Sequence, residues 1–307
     1  MSDNEFSLID SHFRGKGGDA HPFTTLSIGD DASIHRPASG MELVVSTDTS
    51  VEGVHWPEDF SRVKAADRAT CSALSDLAAM GAEPVAVWVN VMARDEKSVK
   101  KMARGVSRAL KRYNVELVGG DTCSAKINAL SVTVAGELPQ DCAMRRDRAE
   151  AGESLWLAGN VGLHALGLQQ WLTHQRDGEF IPYLEEIRPL LSAGVKLRQL
   201  GVCCCIDVSD GLLQDADHLA TASGVGMDIE VTDLPHWQQM CDAVGEDTFF
   251  NSALFGGEDY ALLFTAPADF QIPEAVKIGR CREGEGVSLY RNGKVCEVKK
   301  RGFMHFG

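Results

Sequence analysis

Residues 61–80 place Val63, Ala66, Ala69, Ala73, Leu77 and Met80 at steps of three and four, with Lys64, Asp67 and Arg68 largely off that stripe. This is the period of an amphipathic helix. Residues 98–113 repeat it through Val99, Met102, Val106, Leu110 and Tyr113, and the intervening Lys100, Lys101, Arg104, Arg108, Lys111 and Arg112 read as a solvated face. Short apolar runs at 43–46, 85–91, 115–118, 130–135, 155–158, 202–206 and 261–264 read as strands interleaved with helical stretches. Asn292-Gly293, set between Val287-Ser288-Leu289-Tyr290 and Val295-Cys296-Glu297-Val298, predicts a hairpin with a type I′ turn. The alternation predicts a mixed α/β protein. A polar, charged stretch at 138–153 places a domain boundary near residue 143, giving domains 1–143 and 144–307. The glycine-rich Arg14-Gly15-Lys16-Gly17-Gly18-Asp19 has little to anchor it and predicts a mobile loop.

Composition narrows the function classes. With 307 residues and 44% hydrophobic content, the chain can bury a substantial core. A net charge of -14 opposes nonspecific binding to nucleic acid or to an anionic membrane, so neither partner is expected. No apolar run reaches the roughly 20 residues that span a bilayer. The acidic opening MSDNEFSLID is unlike a basic-then-apolar signal peptide, which gives a cytoplasmic expectation. The nine cysteines lack Cys-x-x-Cys pairs and zinc-ligand spacing, so they read as reduced structural thiols. Within Cys203-Cys204-Cys205-Ile206 the small apolar side chains suit a strand buried on both faces.

One chemical pattern recurs: an apolar run stops, Gly, Ser or Thr follows, and an Asp closes the segment. It occurs in Ser27-Ile28-Gly29-Asp30-Asp31, Ser46-Thr47-Asp48-Thr49, Gly119-Gly120-Asp121-Thr122 and Asp207-Val208-Ser209-Asp210-Gly211. Strand ends and the loops leaving them commonly hold ligands in α/β proteins. Asp76 joins the set because it interrupts an otherwise apolar helix, where a buried carboxylate needs a partner. Two carboxylates ~5 Å apart repel by about 3 kcal/mol at an effective dielectric near 20, so a convergent set would favour bound cations. Hard oxygen donors suit magnesium or manganese better than zinc. Any one segment alone reads first as a helix cap or a turn, and it is the four together with Asp76 that favour a metal site. No Gly-x-x-x-x-Gly-Lys-Ser/Thr phosphate loop and no protein-kinase motif set is present. The residues thus reach metal-dependent phosphate chemistry and no further.

The ordered motifs Glu5-Phe6-Ser7-Leu8-Ile9, Gly29-Asp30-Asp31-Ala32, Ser46-Thr47-Asp48-Thr49, Glu52-Gly53-Val54-His55-Trp56, the segment from Leu74 to Ala82, Gly119-Gly120-Asp121-Thr122, Asp207-Val208-Ser209-Asp210-Gly211-Leu212 and Gly256-Gly257-Glu258-Asp259-Tyr260 resemble the thiamine-monophosphate kinase family. They span nearly the whole chain. The resemblance implies a two-domain aminoimidazole-ribonucleotide-synthetase-like fold: an N-terminal ferredoxin-like mixed sheet with helices, which binds metal and nucleotide and dimerises, and a C-terminal α/β domain that completes the site. It implies transfer of phosphate from ATP to thiamine monophosphate with several magnesium ions, in a homodimer.

By similarity Asp31, Ser46, Thr47, Asp48, Asp76, Asp121, Asp207 and Asp210 match metal positions, with Asp30 the less certain member of its pair. Gly120, Asp121, Arg146 and Ser209 match nucleotide contacts, and His55, Glu258 and Phe303 match positions facing thiamine monophosphate. Each has a plainer reading: His55 packing beside Trp56, Arg146 as a linker cation, Glu258 in a turn, Phe303 anchoring the tail. Arg148 and Glu153 depart from the family pattern and leave the linker geometry open. No general base is expected, because the acceptor already carries a nucleophilic phosphate oxygen. Another ATP-using member of the superfamily and a non-catalytic nucleotide-binding regulator are the competing functions.

Overall fold

The computed structural model describes residues 5–296, in two compact units. Among the described residues the first comprises 5–77 and 82–141 and the second 78–81 and 142–296. Phe303 lies outside the described residues. No helix among the described residues is long and apolar enough to cross a membrane.

The first unit runs α1 (Glu5–His12), β1 (Thr24–Leu26), β2 (Ile34–His35), β3 (Met41–Val51), α2 (Arg62–Met80), β4 (Glu83–Ala93), α3 (Glu96–Tyr113), β5 (Glu116–Ser124) and β6 (Ala129–Pro139). Four of these strands form a sheet in the order β3-β6-β4-β5, antiparallel except for the β4/β5 pair. α3 supplies the crossover that a parallel pair needs. Asp95 caps α3, its side chain accepting the Ser98 N–H, and left-handed Asn114 (φ 52°) ends it. α3 follows its expected stripe, burying Val99, Met102, Val106 and Leu110. α2 is helical as expected but not amphipathic: it buries Ala66, Ala69, Ala73, Leu74 and Leu77 and, on its other sides, Asp67, Arg68 and Ser72 as well.

Three further expectations change here. The acidic segments of β3 and β5 are not strand ends: both strands run on through Asp48 and Asp121, because β6 and β4 continue the ladder beside them and override the weak strand preference of Gly, Ser and Asp. The basic face of α3 is not wholly solvated, since Arg108 and Arg112 both reach the buried carboxylate of Asp67 on α2, at 3.1 and 2.9 Å. The loop at 14–19 is anchored. Gly18 donates its N–H to the Val115 carbonyl, Ser107 donates its hydroxyl to the Lys16 carbonyl, and a Cβ on Gly17 or Gly18 would collide with the backbone of residues 114–117.

The second unit runs β7 (Ser154–Ala158), α4 (Leu163–Leu172), α5 (Ile181–Glu185), α6 (Leu191–Gln199), β8 (Cys204–Asp207), α7 (Leu212–Ser223), β9 (Gly226–Glu230), α8 (Trp237–Val244), α9 (Glu246–Phe255), β10 (Leu262–Ala266), β11 (Ala275–Arg282), β12 (Val287–Arg291) and β13 (Lys294–Cys296). Its seven-stranded sheet has the order β13-β12-β9-β11-β7-β10-β8. Leu155, Leu157, Met227, Ile229 and Leu263 from the strands join Leu212, Leu219, Phe249 and Leu254 from α7 and α9 in one buried core. Asn292 and Gly293 turn the last hairpin at φ 52° and 72°, as a type I′ turn requires. Cys204 and Cys205 are buried on β8, while Cys203 precedes the strand and is exposed; all nine cysteines are free.

Candidate active site

Along β3 the side chains alternate between two faces, so Ser46 and Asp48 share one and Thr47 takes the other. α2 brings Ser72 and Asp76, neighbours at i and i+4, to the first face. Ser72 Oγ donates to Asp48 Oδ2 at 2.7 Å, and Ser46 Oγ donates to Asp76 Oδ2 at 2.5 Å. The Thr47 hydroxyl lies 2.8 Å from that of Thr133 on the opposite face, away from Asp48.

A cavity of about 880 Å³ in the same unit collects the other acidic segments. Asp30, Asp31, Gly120 and Asp121 line it together with the apolar Ile28 and Trp88. Asp30 and Asp121 each accept the next residue's N–H through Oδ1, which fixes the carboxylate against its own backbone. Gly120 is required: at φ 143°, a Cβ there would stand 2.0 Å from the Val89 carbonyl oxygen on β4. Nearby in sequence, the buried carboxylate of Glu52 is clamped by Arg62, Arg94 and Asn128. This anchors the turn in which His55 Nδ1 accepts the Val51 N–H at 3.1 Å. A neutral His55 then keeps its proton on Nε2.

In the second unit Asp207 closes β8 and is buried, and Ser209 and Asp210 follow on a short loop. That loop is held by a residue absent from the expected set. Asp215, buried in the first turn of α7, accepts the N–H groups of Ser209, Asp210 and Gly211 through one oxygen at 3.0, 3.0 and 3.2 Å. Burial pushes its carboxyl up to about 7, against the pull of those hydrogen bonds and with the help of the negative charges on Asp210 and Asp207. The Ser209 N–H is thereby engaged and its carbonyl accepts the Glu258 N–H at 2.8 Å, so both of its main-chain polar groups are taken up within the loop. The same ladder joins Tyr260 N–H to the Val208 carbonyl.

Glu258 and Tyr260 are both left-handed, at φ 63° and 54°, a conformation that costs L residues roughly 1–2 kcal/mol each. Asp259 between them pins the loop to the start of α4 by accepting the N–H groups of Gly162 and His164 at 2.6 and 3.2 Å. Burial pushes its carboxyl up to about 7 as well, against those same hydrogen bonds. Glu258 Oε2 lies 3.2 Å from His164 Nε2 on the wall of a 470 Å³ cavity. The side chain of Arg146 belongs to an exposed residue whose carbonyl accepts the Ser223 hydroxyl. Of the two departures, Glu153 is structural, taking a 2.6 Å bond from Thr265 on β10 and the Glu150 N–H. Arg148 stays on the surface.

The donor set is hard oxygen throughout. Asp31, Asp48, Asp121 and Asp210 make no ion pair with Lys, Arg or His among the described residues. That chemistry fits a divalent cation. Among the described residues, however, no three His, Cys, Asp or Glu side chains are grouped to hold an ion by themselves. Magnesium needs no such cage, since it keeps several waters and shares one or two carboxylates with substrate phosphates.

The comparisons supply the class. Residues 29–138 match the family model of the AIR synthase related protein, N-terminal domain, and they fall within the first unit. Over its whole length the chain is 31% identical to the thiamine-monophosphate kinase of Buchnera aphidicola subsp. Schizaphis graminum, covering 100% of both chains. The crystal structure of thiamine-monophosphate kinase from Stenotrophomonas maltophilia K279a superposes with a TM-score of 0.81 at 31% identity, over 90% of this chain and 93% of that one. AaThiL complexed with AMPPCP and TMP gives 0.73 at 30% identity, over 91% and 92%. The chain belongs to the thiamine-monophosphate kinase family.

Proposed function

We propose that this protein transfers the γ-phosphoryl group of ATP to the phosphate of thiamine monophosphate, with magnesium, giving thiamine diphosphate and ADP. The observation that carries the reading is the cavity of the first unit, where Asp30, Asp31, Asp121 and Gly120 stand beside an apolar wall, with Asp10, paired with Arg14 at 2.9 Å, also on the lining. A nucleotide offers the matching halves: a flat apolar base and a polyphosphate that carries cations to carboxylates. Magnesium, when bound, neutralises the developing charge on the phosphates. The residues assigned to hold it are Asp31, Ser46, Thr47, Asp48, Asp76, Asp121, Asp207 and Asp210. Gly120, Asp121, Arg146 and the Ser209 hydroxyl are assigned to the nucleotide, and His55, Glu258 and Phe303 to the acceptor. Arg146 suits a phosphate because its guanidinium stays charged and donates in pairs.

The acceptor's phosphate oxygen is the nucleophile, so positioning and charge stabilisation carry the rate and no side chain need take a proton. Transfer is then direct and in line. A rapid-quench single turnover with γ-labelled ATP tests this: label should pass from ATP to thiamine diphosphate with none bound to protein. A phosphorylated residue formed and consumed at the turnover rate would overturn it.

Leu43 and Val45 are exposed on the same face of β3 as Thr47 and Thr49. A second copy of the chain would cover this face, making the active protein a homodimer. Nine free thiols and ATP as co-substrate accord with the cytoplasm.

A further inference from the structure

Trp88 on β4 is half-buried on the lining of the first unit's cavity, and its indole is fixed from several sides. Nε1 donates to Ser33 Oγ at 3.0 Å. The His35 ring meets the indole edge-on, with centroids 5.0 Å apart at 81°, and stacks on buried Phe23 at 4.7 Å and 16°. Both nitrogens of that imidazole are taken by hydroxyls, Nδ1 by Thr24 at 3.2 Å and Nε2 by Ser33 at 2.8 Å. Residues 23–35, built around the β1/β2 pair, thus form a clamp on one tryptophan. Gly119, its partner in register on β5, makes room for the ring, since a Cβ there would stand 2.5 Å from Trp88 Cδ1.

The chemistry of this wall is one-sided. The indole N–H is spent on Ser33, so Trp88 offers the cavity ring surface and no hydrogen bond. Burial pushes the His35 ring down, against the pull of the Glu116 carboxylate, so it brings no positive charge near neutrality. Arg14, also on the lining, is paired with Asp10. Ile9, Ile28 and Val118 add apolar surface. Asp121 follows Gly119 by two residues on β5, ~7 Å along the strand, and its partner Asn90 shares the Trp88 face of β4. A flat ring surface and a carboxylate assigned to cation-borne phosphate therefore stand on one side of the sheet, separated by a gap that a ribose fills.

We propose that Trp88 is the base platform of the nucleotide site: the purine ring of a nucleoside polyphosphate stacks on its indole, and Ser33 and His35 are positioning residues that hold the indole at that angle. This rests on the reading of the cavity as the ATP site and names the group that recognises the base. A competing role exists. Trp88 lies in one row with Thr133 and Thr47, on the face that a second copy of the chain would cover, and there it would serve as an interface side chain.

Calorimetric titration of the full-length protein with magnesium-ADP and, separately, with magnesium tripolyphosphate isolates the base. Trp88→Ala should weaken ADP binding about tenfold or more, the loss of one base–aromatic stack, while tripolyphosphate binds as it does to wild type. Trp88→Phe keeps a ring and should keep most of the ADP affinity. Ser33→Ala should weaken ADP by a smaller factor and spare tripolyphosphate, and Ser33→Thr, which keeps the acceptor, should restore the wild-type value. An equal loss for both ligands would mark merely structural residues and count against the roles.

Fluorescence gives the second readout. ADP should quench the intrinsic emission of the wild-type protein, and Trp88→Phe should abolish that quenching while binding persists, which decides the question if the alanine variant does not fold. Undiminished ADP affinity in Trp88→Ala, or quenching that survives in Trp88→Phe, would overturn the proposal. So would a Trp88→Ala protein that loses its partner copy and keeps its ADP affinity, or quenching by thiamine monophosphate in place of ADP. Wild-type protein that binds neither ADP nor tripolyphosphate would defeat the nucleotide reading as well, whereas ADP binding indifferent to Trp88 would leave that reading standing.

Discussion

Ser72 on α2 donates its hydroxyl to Asp48 on β3, and Ser46 on β3 donates to Asp76 on α2. These reciprocal bonds tie each carboxylate to a hydroxyl across helix and strand, and a hydroxyl is a neutral donor that leaves the carboxylate charge in place. In the proposed function a divalent cation adds the opposite charge here. Magnesium should therefore raise the thermal midpoint of the wild-type protein, by an amount worth about 2.7 kcal/mol at a hundredfold excess over Kd. Asp48→Asn and Asp76→Asn should lose most of that increase, and turnover should fall on the order of 10²-fold. Calorimetric scans with magnesium and with a chelator measure it, and equal shifts in wild type and both variants would contradict the assignment.

Asp215 touches no ligand in the proposed site, yet it fixes the loop that carries Ser209 and Asp210. Asp215→Ala leaves three N–H groups of a partly buried loop without their acceptor, and should cost about 1–3 kcal/mol of stability. KM for magnesium-ATP should rise with it. Asp215→Asn keeps one accepting oxygen and should fall between wild type and alanine in both measurements. Denaturant unfolding and initial-rate kinetics on the three proteins check the order.

The carboxyl of Asp259 makes stability depend on pH in a stated direction. Its value of about 7 in the folded protein lies above the ordinary 3.8 of the unfolded chain. Between about pH 4 and 7 the folded state holds a proton that the unfolded state has lost, so this group stabilises the fold below that window and loses its contribution as pH rises through it. The slope from one proton is bounded by about 1.4 kcal/mol per pH unit. Asp259→Asn removes the titration, so the stability difference between wild type and variant should change from pH 4 to 7 in favour of the variant and be flat above. A wild-type advantage that grows through the window would refute the sign.

Val45 is 56% exposed on a face of β3 that it shares with exposed Leu43 and with Thr47 and Thr49. Val45→Glu should shift the protein toward monomer in sedimentation equilibrium while leaving its helix and strand content unchanged. A wild-type protein that sediments as a monomer at every concentration would remove the dimer from the account.

Much of this fold was legible in the sequence. The positions of α2 and α3, the stripe of α3, the strand positions and the Asn292-Gly293 turn all follow from local periodicity and turn chemistry, which act within a few residues. The ends of β3 and β5 did not, because a partner strand distant in sequence decides whether Ser-Thr-Asp or Gly-Gly-Asp stays extended. Arg108 and Arg112 misled for a similar reason: a charged stripe reads as solvated until a buried Asp67 meets it from another helix. In the site, Ser72 had a usable signal, four residues before Asp76 on one helix face. Asp215 had a weaker one, an acidic residue five positions after Asp210. Trp88 had none, since its place depends on Ser33 and His35, more than fifty residues away.

The central claim is a reaction, and its products measure it most directly. Purified protein incubated with magnesium-ATP and thiamine monophosphate should form thiamine diphosphate and ADP in equal amounts, with free thiamine and aminoimidazole precursors left unphosphorylated. Binding of both substrates with no product, or ADP released without thiamine diphosphate, would contradict it.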